Sequence, residues 1–274
     1  MPEYGRVTSV KSDRVSAVRG LQTHQGRRKA GRFLVEGPQA IASAVTAGIP
    51  IHDLFVDEDA GGSLSGLVAD VAASGTRITH VTPAVMKAMA QTQTPQGVLA
   101  VCALLPEGDL GTAMAGPGPV VVLEAIADPG NVGTVIRTCD AVGAAAVVLT
   151  PESADSHNGK VVRSTAGSLF HLPVLSGRSI AEVVEAARRH GRIVAVLTGE
   201  GEIDLFQAVG SGVVDRATVW IVGNEAHGVS DEARAIADLV VRIPMSGRAE
   251  SLNAAVAAAA VLYVTAFAAA KDSQ

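Results

Sequence analysis

The sequence predicts an α/β protein of two domains, with a five-strand parallel sheet flanked by helices in the larger, C-terminal one. Three observations predict it. Short β-branched, apolar runs alternate with helical patterns along the chain, the signature of βα units. A Pro- and Gly-rich stretch from Leu105 to Pro119 interrupts that alternation and marks a linker. The composition is 48% hydrophobic but 3% aromatic, so the cores must be built from Ala, Val, Leu and Ile, which suits helices packed closely on buried parallel strands. At roughly 150 residues per domain, 274 residues make about two.

The elements follow in order. Residues 1–14 read as flexible and 15–31 as a basic helix, so 1–32 form an N-terminal arm. The first domain, 33–104, starts with a strand at Phe33-Leu-Val-Glu, then a helix opened by Gly37-Pro38 and running to about Ala47. Strand Ile51–Val56, helix Leu64–Ala73, strand Arg77–Val81, helix Ala84–Gln91 and strand Val98–Leu104 complete it. Pro83 stands at the favoured first turn of its helix. After the linker, 105–118, the second domain covers 119–274. Its strands are Val120–Ala125, Ala146–Leu149, Arg192–Leu197, Thr218–Val222 and Leu239–Ile243. Its helices are about Asn131–Val142, Lys160–Ser168, Ile180–His190 and Asp231–Ala237, then a long final helix.

Composition excludes several classes. Cys102 and Cys139 sit inside apolar patterns, without CxxC or clustered Cys/His spacing. They read as buried thiols of a reducing compartment, neither a disulfide framework nor a metal site. The N-terminus lacks the apolar core of a signal peptide. The uncharged run Ser251–Ala270 is long enough for a membrane span, but it is mostly alanine and carries Asn253, Tyr263 and Thr265. It reads as a helix buried against a sheet or a second subunit, and the protein as cytoplasmic, without a membrane partner. Net charge is −5, yet the first 33 residues carry +6 and the rest −11. Arg19, Arg27, Arg28, Lys29 and Arg32 lie in that basic stretch. It is either a footprint for a phosphate backbone or a solvated tail.

Three polar segments each follow a strand run: Asn131-Val-Gly-Thr-Val-Ile-Arg137, Gly223-Asn-Glu-Ala-His-Gly228 and Ile243-Pro-Met-Ser-Gly-Arg-Ala-Glu-Ser-Leu-Asn253. Open α/β sheets bind ligands at the carboxyl ends of their strands, so the three suggest one composite site. Asp128-Pro-Gly-Asn-Val-Gly133 could receive an anion at a helix start, but it is neither GxGxxG nor a P-loop. Asn131 is expected at the helix cap and Arg137 nearly two turns on, off its face. Among Val135, Ile136 and Cys139, Arg137 is either a structural arginine paired with a carboxylate or a functional one. Glu225 could cap the next helix, pair with Arg137 or hold a substrate group. His227 reads as a turn residue before a general base. Ser251 and Asn253 suit capping of the last helix. No nucleophile elbow and no paired carboxylates appear, so the chemistry must orient substrates with few ionisable groups, as methyl transfer does.

Together these segments resemble the SpoU/TrmH family of RNA ribose 2′-O-methyltransferases, of the SPOUT superfamily. The resemblance rests on Asn131 and Arg137 as N-x5-R; on Gly223, Glu225 and Gly228 as G-x-E-x-x-G; and on Ile243, Pro244, Met245, Ser251, Leu252 and Asn253 as IPM…SLN. Val162-Arg-Ser-Thr-Ala-Gly167 with Pro173 is similar to the family's R-x-S-x-G…P, and Leu34-Val-Glu-Gly37 with Thr94-Pro-Gln-Gly-Val98 to its ribosomal-protein-like substrate-binding domain.

The resemblance implies a C-terminal domain tied in a deep trefoil knot, an exception to unknotted chains, beside a small N-terminal RNA-binding domain. S-adenosylmethionine would sit in the knot against Leu197, Thr198, Gly199, Ile221, Gly223, Ile243, Met245 and Leu252. The chain would be a homodimer through its last helix, bringing one subunit's Arg137 close to the other's cofactor. Arg137 would stabilise the developing alkoxide or hold the adjacent phosphate, since a guanidinium scarcely deprotonates. Asn131 would orient it, Glu225 would fix the network, and Ser251 and Asn253 would line the pocket. Arg163 would contact RNA phosphate. The implied substrate is RNA, 23S ribosomal RNA ahead of transfer RNA. A non-catalytic RNA-binding protein of the same fold and a nicotinamide oxidoreductase are the competing classes, the latter lacking its fingerprint.

Overall fold

The computed structural model describes residues 4–215, 217–224 and 226–271. They form two compact units, Met1–Pro106 with His157–His171, and Glu107–Ser156 with Leu172–Gln274.

The first unit opens with strand β1 (Tyr4–Val7) and helices α1 (Asp13–Gly20) and α2 (His24–Ala30). Both differ from expectation. β1 lies parallel to β4 (Arg77–Val81) at the sheet edge, where residues 1–14 were expected to be flexible. The predicted single helix is two, because Ser12 caps the first and Thr23 the second. Gly26 lies so close to the carbonyl of Gly20 that a Cβ would come within 1.9 Å of it. Val15, Val18 and Leu21 are buried in one core with Leu34, Phe55 and Met86, so this stretch is part of the unit and not a separate arm.

β2 (Arg32–Glu36), α3 (Pro38–Thr46), β3 (Ile51–Asp57), α4 (Ser65–Ala73), α5 (Pro83–Met89) and β5 (Val98–Ala103) follow the predicted order. The sheet runs β1-β4-β3-β5-β2. β3 and β4 are parallel, and β5 is antiparallel to both its neighbours.

In the second unit the expected linker is partly helical, forming α6 (Leu110–Ala115) behind an Asp109 cap. β6 (Val120–Leu123), α7 (Pro129–Val142) and β7 (Ala146–Leu149) come next. The chain then supplies α8 (Gly159–Ser164) to the first unit. It returns with β8 (Val174–Ser176), α9 (Ile180–Arg189), β9 (Val194–Leu197), β10 (Ile203–Asp204), α10 (Leu205–Gly210), β11 (Val219–Val222), α11 (Asp231–Ile236), β12 (Leu239–Arg242) and α12 (Ala254–Lys271).

The sheet order is β10-β12-β9-β11-β6-β7-β8, all parallel. It has seven strands where five were expected: β8 and β10 are too short to show a pattern. β6, β7, β9 and β11 are buried at every position, as a parallel sheet covered on both faces requires. Arg192, which no sequence pattern marks, is buried here. It donates to the carbonyls of Met114, Gly116, Gly118 and Ala217, fastening the connection before β6.

Candidate functional site

β9, β11 and β12 are parallel, with β9 paired to both of the others, so their carboxyl ends open side by side. The segments that follow them line one cleft of about 650 Å³ including its open mouth. Leu197, Thr198 and Gly199 come from the first loop. Gly223 comes from the second. Ile243, Met245, Ser251 and Leu252 come from the third. Met245 and Leu252 are each 37% exposed, apolar side chains left at the rim.

Ile221 departs from the expected set. It is fully buried in the sheet core, and its neighbour Val222 lines the cleft instead. Successive strand residues face opposite ways, a signal the sequence already held. Ala254 and Ala257, on the first turn of α12, also line the cleft. Their i, i+3 spacing inside an alanine run carries no mark.

The middle loop is a tight turn. The amide of Gly228 donates to the carbonyl of Asn224 at 2.7 Å, and Gly228 has φ +70°, a conformation open to glycine. A Cβ on Gly223 would sit 2.1 Å from the Gly228 carbonyl oxygen. Asn224 Nδ2 donates to the carbonyl of Ala125, 3.0 Å away. Ala125 itself has φ +53°, and its amide donates to Thr150 Oγ1 at 3.0 Å. A left-handed non-glycine costs of order 1–3 kcal/mol and collects at functional sites, held by its surroundings. Glu225 lies outside the described residues. His227 is exposed in the turn.

Asn131 and Asn253 are brought together: Asn253 Nδ2 donates to Asn131 Oδ1 at 3.0 Å, and α7 packs on α12. Asn253 Oδ1 also accepts from the amides of Ala255 and Val256, so it caps α12 as expected. Ser251 does not cap. The cap of α7 is Asp128, whose carboxylate accepts from the Gly130 and Asn131 amides, with Pro129 in the first turn. Asn131 is therefore inside the helix and not at its cap. Arg137 is exposed and has no hydrogen bond or ion pair among the described residues. Its exposure does not fit a buried structural arginine. Arg137 does not line the cleft.

Nothing in the linear sequence marks Arg234. Its guanidinium donates to Thr198 Oγ1 at 3.2 Å and to Glu200 at 3.3 Å, bracing the first cleft loop against α11. Only folding places it there.

The basic residues of the first unit divide. Arg19, Arg28 and Lys29 are exposed and Arg32 is half-buried. Arg27 is 3% exposed and donates to the carbonyls of Leu21 and Gln22. It holds the break between α1 and α2 and is not available to a phosphate. Arg163 is half-buried and pairs with Glu36 at 3.2 Å, so it does not stand free for phosphate either.

A parallel α/β unit with a cleft built from three strand-end loops defines a ligand-binding domain of the doubly wound type. The chain belongs to the SpoU rRNA methylase family, whose model matches residues 118–263, and an MRM3-like substrate binding domain matches residues 12–100. It is 34% identical to the 23S rRNA (guanosine(2553)-2′-O)-methyltransferase RlmP of Bacillus subtilis, over 94% of this chain and 98% of that one. It is 35% identical to the 23S rRNA (uridine(2479)-2′-O)-methyltransferase of Streptomyces viridochromogenes, over 96% and 92%. Among solved structures, the SpoU methyltransferase AviRb of Streptomyces viridochromogenes in complex with AdoMet superposes with a TM-score of 0.80 at 32% identity, covering 94% of this chain and 98% of that one. The AdoMet-bound rRNA methyltransferase of Sinorhizobium meliloti superposes with 0.83 at 28% identity, covering 98% of both.

Proposed function

We infer that this protein methylates a ribose 2′-hydroxyl of 23S ribosomal RNA with S-adenosylmethionine. The observation that carries the reading is the meeting of the Gly223–Gly228 and Ile243–Asn253 segments in one cleft, in a family member whose 23S-directed relatives match it along nearly its whole length. The cleft suits the cofactor. Leu197, Ile243, Met245 and Leu252 supply apolar wall, and the bare backbone at Gly199 and Gly223 lets a ligand approach closely. Ile221 contributes through the strand that carries Val222 and Gly223. When bound, S-adenosylmethionine supplies an electrophilic methyl group.

The protein then has to orient the ribose and stabilise the attacking oxygen. A guanidinium is a donor and no base, so Arg137 stabilises the alkoxide developing on O2′ or clamps the neighbouring phosphate. Asn131, fastened to Asn253, orients that group, and Glu225 completes the network. Arg137 is exposed, lines no part of its own cleft and has no hydrogen bond or ion pair among the described residues, which supports a homodimer in which it serves the cleft of the partner. The same helix pair offers the interface: Val256, Tyr263 and Phe267 lie on one face of α12 at 53%, 56% and 66% exposure. A trefoil knot at the cofactor site is part of the proposal. β12, late in sequence, lies between β9 and β10, and the loops leaving β9, β11 and β12 close on one cleft. Arg19, Arg28, Lys29 and Arg32 would carry the RNA backbone. A ribosomal RNA substrate supports a cytoplasmic location.

The test is incubation with tritiated S-adenosylmethionine and unmodified total RNA, followed by separation of the RNA species. Label in 23S RNA that resists alkali as a 2′-O-methyl dinucleotide is expected. Label in transfer RNA would keep the chemistry and overturn the substrate. Cofactor binding without label on any RNA would overturn the activity.

A further inference from the structure

The first unit holds a second cavity, of about 880 Å³ including its mouth, where β2 meets α3 and the connection from α5 to β5. Met86 and Leu99, both buried, give it apolar wall. Thr92, Thr94 and Gln96 add polar groups. Glu36, at the end of β2, lines it with a side chain only 7% exposed. Its Oε1 accepts from the Gln91 amide at 2.8 Å and from Arg163 at 3.2 Å. Its Oε2 is buried and has no hydrogen-bond partner among the described residues. A carboxylate held by an arginine is an acceptor only, and a buried acceptor left unpaired is unusual enough to require an explanation. The backbone beside it is bare. Gly37 has φ +93°, and a Cβ there would strike Gln96 Oε1 at 2.5 Å.

We propose that this cavity is a nucleobase pocket, in which Glu36 Oε2 accepts a hydrogen bond from the exocyclic amine of one unpaired base of the RNA. The inference deepens the RNA reading and rests on it. Proteins read RNA sequence mainly at splayed-out bases, by their faces and their hydrogen-bonding edges. Here the apolar wall receives the ring face, with the Met86 thioether suited to an aromatic neighbour. A carboxylate is the partner for a base amine, which cytosine, guanine and adenine carry. Uracil has no exocyclic amine; its one donor, N3–H, lies between two carbonyl oxygens that the carboxylate repels. The pocket thus selects an amine-bearing base at a site separate from the methylated ribose.

The chain has five methionines; Met86 lines this cavity and Met245 the cofactor cleft. Methionine-methyl NMR on the full chain therefore watches both sites in one sample. Titration with cytidine and guanosine 5′-monophosphates is expected to shift Met86 saturably, with at least tenfold weaker binding of uridine 5′-monophosphate. Glu36→Gln, which turns the unpaired oxygen into a donor, should weaken the cytidine and guanosine nucleotides at least tenfold. Ala90→Leu, which narrows the cavity and leaves Glu36 in place, serves if that variant fails to fold. A silent Met86 in a sample whose Met245 responds to S-adenosylmethionine would overturn the pocket and leave the methyltransferase reading standing. Shifts of Met86 that persist in the variants, or that are equal for all three nucleotides, would overturn it as well. A sample in which neither methionine responds would overturn both readings.

Discussion

In the proposed reaction Arg137 is the residue on which the chemistry turns, and it is exposed with no hydrogen bond or ion pair among the described residues. Arg137→Ala should lower methyl transfer about 10²-fold or more, the usual cost of losing one donor to a developing oxyanion. Calorimetric affinity for S-adenosylmethionine should stay within about threefold, since the group proposed to meet Arg137 is the ribose oxygen or its phosphate and not the cofactor. Loss of cofactor binding with turnover intact would reverse the assignment. The cysteines make a different residue-scale statement. Both are free and buried, and burial pushes the Cys102 thiol up to about 12 from its usual 9.0; Cys139 is raised further by burial and by Asp140. A thiol with a higher pKa folded than unfolded supports folding while it stays protonated. That support is whole below about pH 9 and drains away as pH rises toward 12. The melting temperature should therefore fall above pH 9, less so in a Cys102→Ala/Cys139→Ala variant, and neither thiol should react with iodoacetamide at pH 8 before unfolding.

At the scale of elements, α12 and the connection before β6 carry the tests. Asn253 caps α12 and also donates to Asn131. Asn253→Ala should cost about 1 kcal/mol of stability through the lost cap. Asn253→Asp keeps the capping oxygen and loses the donor, so it should restore the melting temperature but not the turnover. Arg192 ties four carbonyls together, and each buried acceptor left unpaired costs about 1–3 kcal/mol. Arg192→Met should therefore destabilise the second unit by about 3 kcal/mol or more in chemical denaturation. A change under 1 kcal/mol would mean water or repacking replaces it.

For the whole molecule the exposed stripe Val256, Tyr263 and Phe267 is decisive. A Tyr263→Asp/Phe267→Asp variant should run as a monomer in light scattering and lose transfer while each chain stays folded. Activity in a monodisperse monomer would show that Arg137 serves its own cleft. The fold that frames these predictions was largely legible beforehand. The fully apolar runs of β6, β7, β9 and β11 and the alternation around them were plain, because parallel strands covered on both faces leave no polar positions. β1 was not legible. Four residues ending in Arg6-Val7 have no pattern of their own, and their partner strand lies some seventy residues away.

Two of the cleft segments, Gly223–Gly228 and Ile243–Asn253, could be recognised in the linear chain because loops that shape a ligand site need particular residues: glycine where the backbone turns or is approached, and Asn253 where a helix must be capped; the third polar segment, Asn131–Arg137, does not line the cleft. Long-range partners could not be recognised there. Arg234 at Thr198, Arg192 on its four carbonyls, Arg27 turned inward and Glu36 with one oxygen unpaired among the described residues are ordinary charged residues in the linear chain. Their roles come from neighbours that folding brings together across tens of residues, and a charge has no preferred partner until burial removes water from the choice.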